Sequence, residues 1–210
     1  MLPPEQSLAR RPIAARSSAW AISLSAFLVR RGATPNAISV ASVLFAAVGG
    51  FLILTTDRPI GWLAAAACVQ LRLVCNLLDG MVAIEGGRKS KVGPLYNELP
   101  DRLADTLFLV PLGYAAGLPW LGWACALLAA LTAYIRTLGG ALGLVQDFSG
   151  VMAKQRRMAA LTLGLVAQSL EGPLLGSRWA LLAAAAVIAA GSLITCITRT
   201  VRAARALERA

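Results

Sequence analysis

Hydrophobic residues are concentrated in six long runs, separated by short breaks that contain polar residues, proline or glycine. Each run approaches the ~20 residues that an α-helix needs to cross the hydrocarbon core of a bilayer. The pattern predicts an all-α integral membrane protein with six transmembrane helices. The predicted spans lie at roughly residues 36–55, 60–84, 99–117, 119–143, 156–175 and 178–198.

The segment before the first run has a different pattern. Residues 5–31 mix apolar with basic side chains, which predicts an N-terminal amphipathic helix lying at the membrane interface. No fixed-period repeat is visible in the rest of the chain. We therefore expect one membrane domain, residues 1–210, with a cytoplasmic or interfacial segment at 1–33 and a six-helix bundle at 34–200.

The composition agrees with a membrane protein, because 58% of the 210 residues are hydrophobic and only 14% are charged. The net charge of +10 does not indicate nucleic-acid binding, since basic and aromatic residues are not interleaved. Fifteen Lys and Arg residues flank the spans on one side, against only Arg58 and Arg178 on the other. The positive-inside rule then predicts cytoplasmic termini and, by our interpretation, the inner membrane of a bacterium.

Two groups of polar and small residues lie where these runs begin or end. One group, at offsets 0, 3, 4 and 7, shares a helical face and comprises Asn76, Asp79, Gly80 and Ala83. The other, at a spacing of four, comprises Asn97, Asp101 and Asp105. Carboxylates near lipid are costly unless something compensates their charge. Hard oxygen ligands without Cys or His suit Mg²⁺ or Mn²⁺, so these faces predict a divalent metal site.

The two faces together resemble the signature of the CDP-alcohol phosphatidyltransferase family, D-x2-D-G-x2-A-R followed after a loop by G-x3-D-x3-D. The spacing is intact in both halves. Five positions match the signature: Asp79, Gly80, Ala83, Asp101 and Asp105. Three depart from it: Asn76 replaces the first Asp, Ile84 replaces Arg, and Asn97 replaces Gly.

The resemblance implies transfer of a phosphatidyl group from CDP-diacylglycerol, or a related CDP-linked lipid, to an alcohol with release of CMP. It implies that Asp79 and Asp101 are metal ligands and that Asp105 is a ligand or the catalytic base. Asn76 would occupy a bridging-ligand position, where its side-chain carbonyl could still coordinate a hard cation without adding charge. Whether one or two metal ions bind stays open. The small residues Gly80 and Ala83 would let the backbone approach the nucleotide.

Three basic residues are further candidates for substrate binding. Arg72 shares the face of Asn76 and is an intramembrane ionisable residue, which is a functional candidate by default. Pairing with a carboxylate of the site is an equally good interpretation of Arg72. Arg136 could approach the same cavity from the fourth span, and Lys154 begins the fifth span, where a helix N-terminus favours anions.

The sequence leaves other functions open. A catalytically inactive membrane scaffold derived from the family would keep the same helices, and a small transporter is a weaker alternative because no half-helix symmetry is visible. Metal-dependent release of CMP would distinguish the enzyme from both. The acceptor alcohol is not identified by the sequence. Members of the family are commonly homodimers, so the resemblance also implies a homodimer among membrane lipids.

Overall fold

The computed structural model describes residues 17–85 and 92–209. The first part of the predicted interfacial helix and the basic loop at 86–91 therefore lie outside the described residues. Within helices, three side chains are also outside the description: Glu85, Pro94 and Asn97. The predicted departure from the signature at Asn97 consequently has no structural account.

Seven α-helices and no strands make up the described residues. In chain order they are α1 (Ala19–Arg30), α2 (Pro35–Thr55), α3 (Pro59–Glu85), α4 (Gly93–Ala115), α5 (Pro119–Ala141), α6 (Lys154–Leu175) and α7 (Trp179–Leu207). Proline stands at the first position of α2, α3 and α5, where its missing N–H costs no intrahelical hydrogen bond. The Thr34 hydroxyl caps α2 by accepting a hydrogen bond from the backbone N–H of Ala37 at 3.2 Å.

The prediction of an all-α membrane fold is confirmed. Within residues 17–85 and 92–209, five helices are long and apolar enough to cross a bilayer: α2, α3 up to Ile84, α5, α6 and α7. The helix α4, with 23 residues, is also long enough, but its first half carries the charged side chains of the candidate site. Large apolar side chains such as Leu44, Leu127 and Leu163 are exposed on the outside of the helices, as expected for a surface in contact with lipid.

The six long helices form a closed ring in the order α2, α3, α6, α7, α5, α4, and α4 also contacts α7 across the ring. The short helix α1 packs on α3. The interior is filled by apolar side chains from every long helix, including Ile53, Phe108, Leu161 and Ile188. The helices α2 and α4 pack so closely at Gly50 that an added Cβ would collide with the backbone of α4.

This ring determines where the polar faces lie. Within the described residues, α3 and α4 have no extensive backbone contact with each other, although both pack on α2. The end of α3, the first half of α4 and the start of α6 consequently border a common interior space. Long polar side chains cross this space, and they form the candidate site.

Candidate active site

Each of the three helices supplies a pair of polar side chains on one face. Asn76 and Asp79 are three residues apart on α3, Asp101 and Asp105 four apart on α4, and Lys154 and Arg157 three apart on α6. A separation of three or four residues places side chains on the same side of a helix. The fold therefore brings together both halves of the signature, and it adds a pair of cations from a third helix.

Asp101 is the most connected carboxylate of the site. Its Oδ1 accepts hydrogen bonds from Asn76 Nδ2 at 2.9 Å and from Arg72 Nη2 at 3.1 Å. Its Oδ2 is paired with Lys154 Nζ and lies 3.7 Å from Arg102 Nη2. Neither oxygen of Asp101 is therefore without a donor in this arrangement.

Asp105 is held between two arginines. Its Oδ1 lies 3.1 Å from Arg72 Nη2, and its Oδ2 lies 2.6 Å from Arg157 Nη2. All three side chains are nearly inaccessible to solvent, with exposures of 2% for Asp105, 0% for Arg72 and 1% for Arg157. Buried ion pairs of this kind hold their partners in place, because loss of either partner leaves an uncompensated charge.

Asp79 differs from the other two carboxylates. Its Oδ2 accepts a hydrogen bond from the Ser39 hydroxyl of α2 at 2.8 Å, and the residue is only 5% exposed. Among the described residues, no Lys or Arg nitrogen lies within salt-bridge distance of Asp79. Asp79 is thus the carboxylate of the site that depends on a hydrogen bond rather than on a protein cation.

The charge of the site is compensated by the protein itself. Three carboxylates face four cationic groups: Arg72, Arg102, Lys154 and Arg157. In the part of the chain that the structure describes, no three Asp, Glu, Cys or His side chains converge as a group that could hold a metal ion. Asp101 and Asp105 are turned toward arginine and lysine nitrogens, and Asp79 accepts a hydrogen bond from Ser39, so each of the three anions has a partner in the bundle.

The predicted nucleotide-contacting residues, Gly80 and Ala83, continue the Asn76 face toward the end of α3. Both are partly exposed, so the backbone is accessible there. Ile84, which replaces the Arg of the signature, is exposed and apolar and offers no hydrogen-bonding group. The structure thus provides an open, small-residue surface next to Asp79, without a guanidinium at Ile84.

Arg136 does not pair with Asp79, Asp101 or Asp105; its partner Glu98 lies one helical turn before Asp101 on α4. It pairs with Glu98 of α4 at 2.5 Å, donates to Gln146 Oε1 at 2.5 Å and lies over the ring of Phe148 at 4.9 Å. Glu98 precedes Asp101 by three residues, so Arg136 borders the site at its edge. Arg136 extends toward this region from α5, and its role in substrate binding stays a prediction.

A cavity of about 340 Å³ opens beside Arg136. Its charged lining consists of Arg136, Asp147, Arg199 and Arg202. Burial tends to raise the pKa of Asp147, but hydrogen bonds from Ser149 and the nearby arginines outweigh burial, and the net effect lowers the pKa. Asp147 is therefore ionised at neutral pH, and three arginines leave the lining with a net positive charge.

Comparison with known proteins identifies the family of this chain. No protein-family model matches the chain. An archaetidylinositol phosphate synthase of Aeropyrum pernix is 31% identical over 186 residues, which cover 89% of this chain and 91% of that protein. The chain belongs to the CDP-alcohol phosphatidyltransferase family. A phosphatidylinositol phosphate synthase of Mycolicibacterium smegmatis is 28% identical over 187 residues, covering 81% of this chain and 78% of that protein.

Solved structures share the fold of this CDP-alcohol phosphatidyltransferase. The phosphatidylinositol phosphate synthase PgsA1 of Mycobacterium tuberculosis, solved with CDP-DAG bound, has a TM-score of 0.72 and 22% identity, covering 89% of this chain and 94% of that one. The same enzyme in complex with manganese and citrate has a TM-score of 0.71, again with 22% identity, and the match covers 87% of this chain and 88% of that one. These structures confirm the fold. The curated relatives confirm the predicted family and the predicted activity, transfer of a phosphatidyl group from a CDP-linked lipid to an alcohol with release of CMP.

Sequence reasoning did not single out three side chains of this CDP-alcohol phosphatidyltransferase. Arg157 belongs to a basic stretch that predicts an anion site at the start of a helix, and Arg199 is one of the fifteen basic residues that indicate membrane orientation, yet both are buried and make specific contacts with other helices. Ser39 belongs to an apolar span and carries no motif. The spacing of Arg157 from Lys154 is a signal that could have identified it, because three residues place both on one face of α6.

Proposed function

We propose that this transferase uses CDP-diacylglycerol as its lipid donor and a phosphorylated inositol as its acceptor. The observation that carries the proposal is the contact of Asp101 and Asp105 with Arg72 and Lys154, beside the α3 face that carries Asn76 and Asp79. The names of the two relatives, both inositol phosphate synthases, support the acceptor. The CDP-DAG complex of the structural relative supports the donor.

A divalent cation, Mg²⁺ or Mn²⁺, is the proposed cofactor. The donor chemistry fits, because the face of α3 offers the Asp79 carboxylate and the Asn76 side-chain carbonyl, and Asp101 faces them from α4. When bound, the cation would neutralise pyrophosphate charge and orient the phosphorus. Manganese in the complex of the structural relative supports this assignment.

The protein's own cations also have roles in the proposed reaction. Lys154 and Arg72 provide fixed positive charge beside Asp101, suited to holding the phosphates of the nucleotide. Asp105 is the proposed base, taking the proton of the acceptor hydroxyl. Because Arg72 and Arg157 hold both of its oxygens, Asp105 accepts that proton only after one guanidinium turns toward a substrate phosphate.

The phosphate of the acceptor is proposed to bind in the arginine-lined cavity. Arg136, Arg199 and Arg202 line it, and Arg136 connects it to Glu98 at the edge of the site. Guanidinium groups suit phosphate, because their planar array of donors matches its oxygens. The Arg136–Glu98 pair supports this position, because Glu98 precedes Asp101 by one helical turn on α4.

The setting of the enzyme is also proposed. The excess of basic residues on one side supports cytoplasmic termini and a cytoplasmic active site in a bacterial inner membrane. We extend the resemblance to a homodimer and to one domain over residues 1–210. Crosslinking of purified protein in nanodiscs would test the dimer, and a monomer at all protein concentrations would refute it.

The acceptor assignment is tested with purified protein in nanodiscs, labelled CDP-diacylglycerol and a panel of acceptors: inositol phosphate, inositol, glycerol 3-phosphate and serine. CMP release is expected with inositol phosphate and Mg²⁺. Arg202→Gln should raise KM for inositol phosphate several-fold with little change in kcat, because Arg202 lines the phosphate cavity. Arg205→Gln, three residues along the same helix and outside that lining, is the matched control. Equal turnover with unphosphorylated inositol would refute the acceptor, and no CMP release with any alcohol would favour the inactive scaffold.

A further inference from the structure

A guanidinium group occupies the position between the two carboxylates of α4. Arg72 Nη2 lies 3.1 Å from Asp101 Oδ1 and 3.1 Å from Asp105 Oδ1. The Arg72 side chain is completely buried, and its Nε and Nη1 have no hydrogen-bond partner among the described residues. A single nitrogen that bridges two carboxylates is placed as a bridging metal ion would be, and it cannot lose its charge because arginine does not deprotonate in proteins.

Asn76 completes this arrangement. Its Nδ2 donates to the same Asp101 oxygen that accepts from Arg72, at 2.9 Å. An aspartate at position 76 would instead place a carboxylate oxygen against Asp101, and that contact would be repulsive unless a cation came between them. The neutral amide at 76 and the cation at 72 therefore compensate Asp101 together without a metal ion at this position.

The other carboxylate oxygens of α4 are also engaged. Lys154 pairs with Asp101 Oδ2, and Arg157 Nη2 lies 2.6 Å from Asp105 Oδ2. Asp79 alone among the three carboxylates has no protein cation within salt-bridge distance in the described residues. A divalent cation entering the site thus meets a carboxylate without an ion-pair partner among the described residues at Asp79, and two ion-paired carboxylates at Asp101 and Asp105.

We infer that the Arg72 guanidinium, together with Asn76, permanently replaces one divalent ion, so that each chain binds a single divalent cation, held by Asp79. This inference rests on the proposed function only for the identity of the cofactor as Mg²⁺ or Mn²⁺. It assigns Arg72 a positive charge that stays in the site in every step of the reaction. It also explains why an Asn stands at position 76 while the spacing of the signature is kept.

The number of bound ions is measurable with Mn²⁺ alone as the probe. Electron paramagnetic resonance of free Mn²⁺, titrated with purified protein in nanodiscs, should give one bound ion per chain, with or without CDP-diacylglycerol. Asp79→Asn should weaken that binding by roughly 10-fold or more, because it removes the carboxylate that holds the ion. Arg156→Gln, an exposed cation beside Arg157, should leave the stoichiometry at one.

A double variant tests whether Arg72 and Asn76 together limit the number of bound ions. Arg72→Gln combined with Asn76→Asp should raise the stoichiometry to two, because the bridging cation is removed and a fourth carboxylate is supplied. Asn76→Asp alone keeps the guanidinium and should still bind one ion. The wild-type stoichiometry tests the inference even if the double variant does not fold.

Two outcomes would overturn the inference: two tightly bound Mn²⁺ ions per wild-type chain, or no Mn²⁺ binding at all. Full retention of Mn²⁺ by Asp79→Asn would overturn the assignment to Asp79. CMP release, measured on the same preparation, distinguishes this inference from the proposed function. One bound ion without CMP release would refute the function and leave the inference standing, whereas two ions with CMP release would do the opposite.

Discussion

Arg157 is predicted to stabilise the bundle far more than its exposed neighbour Arg156. Arg157 is 1% exposed, its Nη2 lies 2.6 Å from Asp105 Oδ2, and its Nη1 lies 3.4 Å from the Met152 carbonyl oxygen. Arg157→Met removes the charge and keeps most of the aliphatic volume. Asp105 then loses its nearest cation inside the bundle and retains only the longer contact with Arg72.

The size of the effect follows from the burial of the pair. Removing one partner of a buried ion pair costs about 3–5 kcal/mol, because the remaining charge is left uncompensated. That corresponds to at least a roughly 100-fold change in the unfolding equilibrium constant. For a chain of this length, a loss of this size lowers Tm by about 6–20 °C. Surface substitutions typically change stability by only about 0.5 kcal/mol, so Arg156→Met should lower Tm by about 2 °C at most.

Thermal unfolding in a mild detergent, followed by intrinsic tryptophan fluorescence, measures the difference. Combining Arg157→Met with Asp105→Asn should recover part of the lost Tm, because the second substitution removes the unpaired charge. Equal Tm values for Arg157→Met and Arg156→Met would refute the reasoning. Losses that simply add in the double variant would show that the two side chains are not coupled.

Two further predictions concern α2. Ser39→Ala removes the 2.8 Å hydrogen bond to Asp79 and should raise the Mg²⁺ concentration needed for half-maximal CMP release several-fold. An unchanged Mg²⁺ dependence would contradict this role. Gly50→Val would push a side chain into the α4 backbone and should greatly reduce the yield of folded protein. Gly139→Ala should leave the yield unchanged, because the nearest atom to the added Cβ would be 4.0 Å away. Equal yields of the two variants would refute the close packing of α2 on α4.

The sequence alone determined which segments are helices and which faces of them are polar. Apolar runs near 20 residues predict spans because every backbone polar group in lipid must be satisfied within its own helix. The spacing of Asn76 from Asp79, and of Asp101 from Asp105, placed each pair on one face for the same local reason. These properties depend on residues three or four positions apart, and they are therefore visible in the order of the residues.

The boundaries of α4 show the limit of that reasoning. Its apolar run was predicted from residue 99, but the helix begins at Gly93 and includes charged and proline residues. Its carboxylates Glu98, Asp101 and Asp105 are paired with cations from other helices. A pattern of hydrophobicity underestimates the length of such a helix, because its charged residues interrupt the apolar run and are compensated only by residues of other helices.

The tertiary structure alone decided the partners of the carboxylates. Nothing in the residue order indicates that Arg157 meets Asp105 across 52 positions, or that Ser39 meets Asp79 across 40. The order of helices in the ring, with α6 beside α3 and α2 between α3 and α4, sets these contacts. Arg72 illustrates the difference, because its face was predictable and its bridging position was not. A helical face follows from local geometry, whereas an ion pair between helices depends on how distant segments pack.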